Sequence, residues 1–338
     1  MLINQDFTQD RANYLGGSDI GALLGLNPYR SPLDLWQEKT GKALTKRESL
    51  PMRFGSFAES FVASEYERET QARLLNYPQS LTHPQYPYFQ AHIDRFVFEK
   101  SECPLPLEPF SGNTCLASHL LECKTANPFM QKDWGEPGSD QVPLSYLCQC
   151  AWYLAIAQVQ RIDVAVLFGN ADFRIYEINR DLALEKILLD KAAQFWQDYV
   201  LADLPPPPHS IADCHTLFPS SVPKKTILAN AKSLNDLDAL YACTTQIEEL
   251  ENKEAEIKQS LMQYLGDAEA LEYEGQTLVT WKTPKPTVRW DLKRLYAEQA
   301  QLAPLYQTLT PGTRRFIVKA YSPAQLHRIE TNTIGEAP

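Results

Sequence analysis

Four consecutive prolines, Pro205 to Pro208, interrupt this chain of 338 residues. Each proline fixes φ and lacks a backbone donor, so neither a helix nor a central strand continues through the run. The run therefore marks a linker over 204–210 between a first domain, 1–203, and a second, 211–338. Hydrophobic residues make up 44% and charged residues 22% of the chain, enough apolar surface to build a core on the longer side of that break. The longest apolar runs, such as Val164 to Phe168, fall far short of the roughly 18 residues that cross a bilayer. Residues 1–10 are polar and include Asp6 and Asp10, unlike the basic and then apolar order of a secretory signal. A cytoplasmic protein without a membrane segment is the expectation. Seven cysteines, an odd number with no C-x-x-C pair, read as free thiols rather than a disulfide framework or a zinc ribbon.

Before the linker, short apolar runs alternate with helical patterns, as in an α/β or α+β domain. Helices are expected over 32–40, 54–69 and 143–157, the second with Phe57, Phe61, Val62 and Tyr66 at helical spacing. Strands are expected over 89–98, 117–125 and 161–168, the last turning at Gly169 and Asn170 into 173–178. After the linker, Leu237, Leu240, Ile247, Leu250, Ile257, Leu261 and Tyr264 recur at helical spacing over 234–265. A turn at Glu274 and Gly275 then marks a hairpin. The net charge of −10 argues against a nucleic-acid partner, but its distribution is uneven. Residues 224–274 carry 5 basic and 11 acidic side chains, whereas 275–325 carry 8 basic and 2 acidic.

One constellation carries chemistry. Asp94 lies in Ala91-His92-Ile93-Asp94-Arg95 on one expected strand, and Leu121-Glu122-Cys123-Lys124-Thr125 lies on the next. Alternate side chains of a strand share a face, so Glu122 and Lys124 point together while Cys123 enters the opposite layer. Two carboxylates are hard ligands of the kind Mg²⁺ or Mn²⁺ takes. An ammonium beside them can orient, or help deprotonate, a metal-bound water attacking a phosphodiester. The competing reading is a solvated Glu–Lys ion pair worth little. His92 reads as a local hydrogen-bond partner rather than a ligand.

Further motifs surround this set: Arg11-Ala-Asn-Tyr-Leu-Gly-Gly-Ser18-Asp-Ile-Gly-Ala-Leu-Leu-Gly25, Asn27-Pro28-Tyr29, Arg53-Phe54-Gly55-Ser-Phe-Ala-Glu59 and Tyr146-Leu-Cys-Gln149. In this order, across about residues 10 to 200, they resemble the lambda-exonuclease and YqaJ-like viral recombinase family. The layout further resembles the alkaline exonuclease of an SXT-type mobile element. The resemblance implies an α/β fold with a PD-(D/E)XK restriction-endonuclease-like core, a central mixed sheet flanked by helices. A C-terminal helical and hairpin extension would follow that core.

Carried onto this chain, the resemblance makes Asp94, Glu122 and the main-chain carbonyl of Cys123 the ligands of Mg²⁺, for which Mn²⁺ could substitute. Lys124 would position the nucleophilic water, Glu59 would add an acid near the metal, and Gln149 would complete the motif. Tyr146 would flank the substrate. Arg11 and Ser18 would hold the 5′ phosphate of the strand being digested. The implied reaction is 5′ to 3′ hydrolysis of one strand of linear double-stranded DNA, leaving a 3′ tail. The implied partners are a single-strand annealing protein and two further copies in a homotrimeric ring. An endonuclease with the same site, or a non-catalytic DNA-binding scaffold, are the alternatives. Residues 99–116, with Cys103 and Cys115, read as an insertion, and cysteine spacing argues against the iron–sulfur cluster of related nucleases. In the tail, Lys282, Lys285, Arg289, Lys293, Arg294, Arg314, Arg315 and Lys319 interleave with Trp281, Trp290 and Phe316. They read either as contacts to DNA phosphates and bases or as a small aromatic core with solvated charges. The acidic helical segment before them is a candidate dock for the annealing partner or a neighbouring subunit.

Overall fold

The computed structural model describes residues 11–43, 49–99, 110–111, 114–306, 308–310 and 312–318. Lys319, Cys103 and most of the expected insertion lie outside the described residues. The chain forms two compact units, 1–217 and 218–338.

In the first unit, helices α1 (Gly17–Leu23), α2 (Pro32–Lys39) and α3 (Leu50–Thr70) precede strands β1 (Arg73–Leu75), β2 (Arg95–Phe98) and β3 (His119–Ala126). Helix α4 (Leu144–Ala157) then leads to β4 (Arg161–Phe168), β5 (Asp172–Asn179), α5 (Leu182–Phe195) and α6 (Ile211–Leu217). The five strands form one sheet in sequence order. All neighbours are antiparallel except β3 and β4, which run parallel because α4 returns the chain between them.

Each face of this mixed sheet is covered by helix. On one face Val62 and Tyr66 of α3 pack with Val97, Leu121, Ala165 and Leu167. On the other, α1, α4 and α5 cover Phe96, Leu120, Ile162, Val164 and Val166. The strand alternation expected over 119–126 follows: Leu121 and Cys123 face α3, whereas Leu120 faces α4. Helix α3 corrects one expectation. Its buried row is Ala58, Val62 and Tyr66, spaced by four, so Phe57 and Phe61 fall on the adjacent row and are exposed. The expected strand over 89–98 is also corrected, because it breaks at residues 92–94, between a two-residue pairing at Gln90–Ala91 and β2.

A buried polar knot ties α3 to the sheet. The Tyr66 hydroxyl donates to Asp163 at 2.6 Å and lies 2.8 Å from His119 Nε2. Arg161 donates to both Asp163 oxygens, at 2.7 and 3.0 Å. Burial opposes the Asp163 charge, but hydrogen bonds from His119, Arg161 and Tyr66 outweigh it and hold its pKa at about 2.

The polyproline segment ends closer to the first unit than the sequence implies. Helix α6, which sequence alone assigns to the second domain, docks back through Ser31, whose hydroxyl donates to Asp213 at 2.8 Å. Asp213 also accepts from the His209 N–H at 2.8 Å. The second unit holds α7 (Ala231–Leu265), a hairpin of β6 (Ala270–Tyr273) and β7 (Gln276–Thr280), and α8 (Leu292–Glu298). Asn230 caps α7 by accepting from the Ser233 N–H at 2.9 Å. Leu265 is the buried residue of α7. No described helix is long and apolar enough to cross a membrane.

Asp163 is held below the ordinary carboxylate value, so its contribution is present above about pH 3.9 and lost as pH falls toward its folded pKa. On that account the first unit loses ~2 kcal/mol from this group as acid protonates it. Asp163→Asn should unfold at lower denaturant at pH 7 and show a shallower acid limb between pH 5 and 2. Parallel acid limbs would contradict the assignment.

Candidate active site

The site grows from the end of a strand ladder. The last residue of β2 paired with β3 is Arg95, opposite Leu121. The Cys123 N–H, beyond that pairing, donates instead to Asp94 Oδ2 at 2.8 Å. Asp94 therefore sits in the bend before β2 rather than within a strand, with its carboxylate against β3. The Cys123 side chain packs with the α3-side cluster, while its main-chain N–H meets the Asp94 carboxylate.

Glu122 and Lys124 project toward α4. Glu122 is 3% exposed. Its Oε1 accepts from Lys124 Nζ and from Gln149 Nε2, the latter at 2.7 Å. The Gln149 amide is used at both ends: its Oε1 accepts from Lys124 at 3.2 Å, and its Nε2 also donates to the Tyr153 hydroxyl at 2.9 Å. Glu122 Oε2 is buried with no hydrogen-bond partner. Lys124 Nζ also lies 5.1 Å from the centre of the Tyr146 ring. Glu59, from α3, pairs with Arg95 at 2.7 Å.

The electrostatics are unbalanced toward negative charge. Burial raises the Asp94 pKa well above the carboxylate range, and the Glu122 and Glu59 charges push it further. Burial opposes the Lys124 charge, yet Glu122 and Asp94 outweigh it and hold the ammonium above the ordinary lysine value. Burial also raises the Cys123 thiol, with Asp94 and Glu122 adding to the effect, so this cysteine stays neutral.

These residues fit a hard divalent cation on two observations. One is the unpartnered, buried Glu122 oxygen, and the other is the acid pair whose mutual repulsion a cation would relieve. Among the described residues, no group of three or more His, Cys, Asp or Glu side chains is arranged to hold a metal ion. The protein ligands on offer are therefore Asp94 and Glu122, with main chain and water to complete the shell, the pattern Mg²⁺ accepts.

A second cluster lies on α1. Arg11 Nη2 donates to the exposed Ser18 hydroxyl at 3.0 Å, so two residues separated by seven positions meet. Three charges missed by the sequence reading build the floor beneath them. Asp19 is buried and pairs with Arg30 at 2.7 Å and Lys39 at 2.8 Å. Lys39 in turn donates to the Arg11 carbonyl at 2.7 Å. Burial opposes the Asp19 charge, but Lys39 and Arg30 hold its pKa at about 2. His92 meets the Tyr14 hydroxyl at 3.0 Å, as a local hydrogen-bond partner. Glycine at 17 joins the clusters: a Cβ there would overlap the Tyr153 ring and come within 3.1 Å of Gln149 Cγ. Tyr153 is a further missed residue, readable only as the position four after Gln149 on α4.

In the second unit, Lys282, Lys285, Arg289, Arg314 and Arg315 are exposed. Lys282 lies 3.8 Å from Glu269, and Arg314 donates to the Phe218 carbonyl at 3.3 Å. Trp290 and Phe316 are largely exposed, at 80% and 84%, whereas Trp281 is about half exposed, at 46%.

Two predictions follow from this geometry. Gly17→Ala should displace Tyr153 and Gln149 and cost about 1–3 kcal/mol in denaturant unfolding. Gly16→Ala, where a Cβ meets only ordinary contacts, should cost far less, and equal costs would contradict the packing. Asp94→Asn should raise the Tm of the metal-free protein by about 2–4 °C per kcal/mol of relieved repulsion. The same change should abolish the Tm rise that Mn²⁺ gives the unaltered chain, whereas no Mn²⁺ effect on the unaltered chain would count against the site.

A curated relative, the uncharacterized protein YqaJ of Bacillus subtilis (strain 168), is 27% identical over 322 residues, 93% of each chain. The chain is also similar to the alkaline exonuclease LHK-Exo from Laribacter hongkongensis, at 17% identity and a TM-score of 0.45, over 59% of this chain and 94% of that one. A phage-related exonuclease from Haemophilus somnus 129PT matches at 8% identity and a TM-score of 0.39, over 56% of this chain and 95% of that one. The model of the YqaJ-like viral recombinase domain matches residues 6–160. Over those residues the chain is similar to the YqaJ-like viral recombinase domain.

Proposed function

We propose that this protein is a divalent-metal-dependent deoxyribonuclease that digests one strand of linear duplex DNA from its 5′ end, leaving a 3′ single-stranded tail for strand annealing. The observation that carries the reading is Glu122, buried with one oxygen held twice and the other unpaired. A Mg²⁺ or Mn²⁺ ion held by Asp94 and Glu122, with the Cys123 main chain, would supply Lewis acidity and a water nucleophile at neutral pH. The chain's own groups do the rest. Gln149 fixes Glu122 and Lys124 together, so neither can rotate away from the reacting phosphate. Lys124, held protonated, acts as a donor that orients the water and offsets charge growing on phosphate oxygens, rather than as a base. Glu59, bound to Arg95, steadies the α3 side of the site.

The Arg11–Ser18 pair supports action at ends over internal cleavage, because an exposed guanidinium and hydroxyl together match a terminal phosphate. A homotrimeric ring and a single-strand annealing partner belong to the same reading. The exposed basic and aromatic residues of the tail, among them Lys285, Arg289 and Arg315, favour additional DNA contact there.

Lys124→Ala should lower digestion of linear duplex by at least about a hundredfold while duplex binding persists. Retained digestion would exclude the assigned role. Arg11→Ala should erase any preference for 5′-phosphorylated over 5′-hydroxyl ends. Closed circular duplex should survive alongside digested linear duplex, and nicking of the circle would return the endonuclease reading.

A further inference from the structure

Helix α7, Ala231–Leu265, is the long helix of the second unit. Its mostly apolar seam repeats as a heptad: Leu240, Ile247 and Leu261, with Glu254 as the one charged exception, occupy one position, and Cys243, Leu250, Ile257 and Tyr264 the position three later. Such a 3.5-residue seam is the pattern of helices that pair, not of a lone surface helix. Here the seam is open to solvent. Leu250 is 67% exposed, and Ile247 and Ile257 are each 55% exposed. A helix this long draws its stability from packing an apolar face, and within the second unit the middle of this one, Ile247, Leu250 and Ile257, stays exposed.

We propose that α7 pairs with α7 of a second copy of this chain as an antiparallel coiled coil, with Leu250 opposite Leu261 and Ile247 opposite Tyr264. Charge beside the seam selects both orientation and register. Glu251 and Lys258 flank the seam on one side, and Lys253 lies on the other. A parallel pair would set Lys253 beside Lys258 of the second copy, like against like. The antiparallel pair in this register sets Glu251 beside Lys258 of the second copy, twice by symmetry. Sliding by one heptad in one direction brings Glu251 against itself, and in the other Lys258 against itself. Glu254, the charged residue within the seam, is held by its own Lys258 at 2.8 Å and would lie opposite Ile257 of the second copy. A single polar seam residue of this kind fixes register and weakens the pair. This inference concerns assembly and stands apart from the nuclease reading.

The test is analytical ultracentrifugation of the full chain across a concentration series. The unaltered chain should associate through the seam, so Leu250→Glu should remove one twofold step from its mass without loss of the far-ultraviolet helical signal of the first unit. Lys258→Glu and Glu251→Lys should each weaken association by about tenfold, and the double exchange should restore it. Glu254→Leu should tighten it. Mass unaffected by Leu250→Glu would overturn the proposal, whether because the seam is unused or because a different protein takes it. Tighter association in Lys258→Glu would overturn the antiparallel pairing in favour of the parallel one.

Discussion

Glu122 is the point on which the proposed site of the first unit turns. A buried carboxylate is costly unless its oxygens are satisfied, and this one has a single satisfied oxygen. Lys124 and Gln149 both spend their polar groups on Oε1, which fixes the rotamer of the acid and leaves Oε2 buried and unpaired. Asp94 is held there by a main-chain N–H that the sheet no longer uses. The arrangement stores electrostatic repulsion that a divalent cation would relieve, a familiar relation between strained charge and function.

The scaffold around that point is built for close approach. Helix α1 reaches α4 through Gly17, where any side chain would strike the Tyr153 ring. The same short helix carries Ser18, while the buried Asp19 anchors Lys39 and, through it, the backbone of Arg11. The Arg11–Ser18 pair and the Glu122–Lys124–Gln149 cluster are thus mounted on elements that share one packed contact. On the far face, the Tyr66–Asp163–His119 knot fixes α3, and with it Glu59, to the sheet.

Much of this was legible in the sequence because it depends on local periodicity. The two-residue alternation of His119 to Ala126 sets Glu122 and Lys124 on one face and Cys123 on the other, and helix α4 and the β4–β5 hairpin follow from pattern as well. The Arg11 and Ser18 encounter could be anticipated only from the motif they share. What escaped depends on partners distant in the chain. Asp94 leaves the strand because the β2–β3 ladder ends at Arg95, which no local pattern encodes. Phe57 and Phe61 share the apolar character of Val62 and Tyr66, and only the sheet decides which row is buried. Helix α6 lies after a polyproline run that reads as a boundary, yet Ser31 draws it back across 182 positions. Asp19, Arg30 and Lys39 resemble ordinary surface charges until folding removes the water around them.

The most direct measurement is an anomalous difference map from crystals soaked in Mn²⁺. The account predicts a peak at ligand distance from Glu122 Oε2 and from an Asp94 carboxylate oxygen, absent in crystals of Glu122→Gln. A peak elsewhere, or a peak that survives the loss of the Glu122 charge, would contradict it.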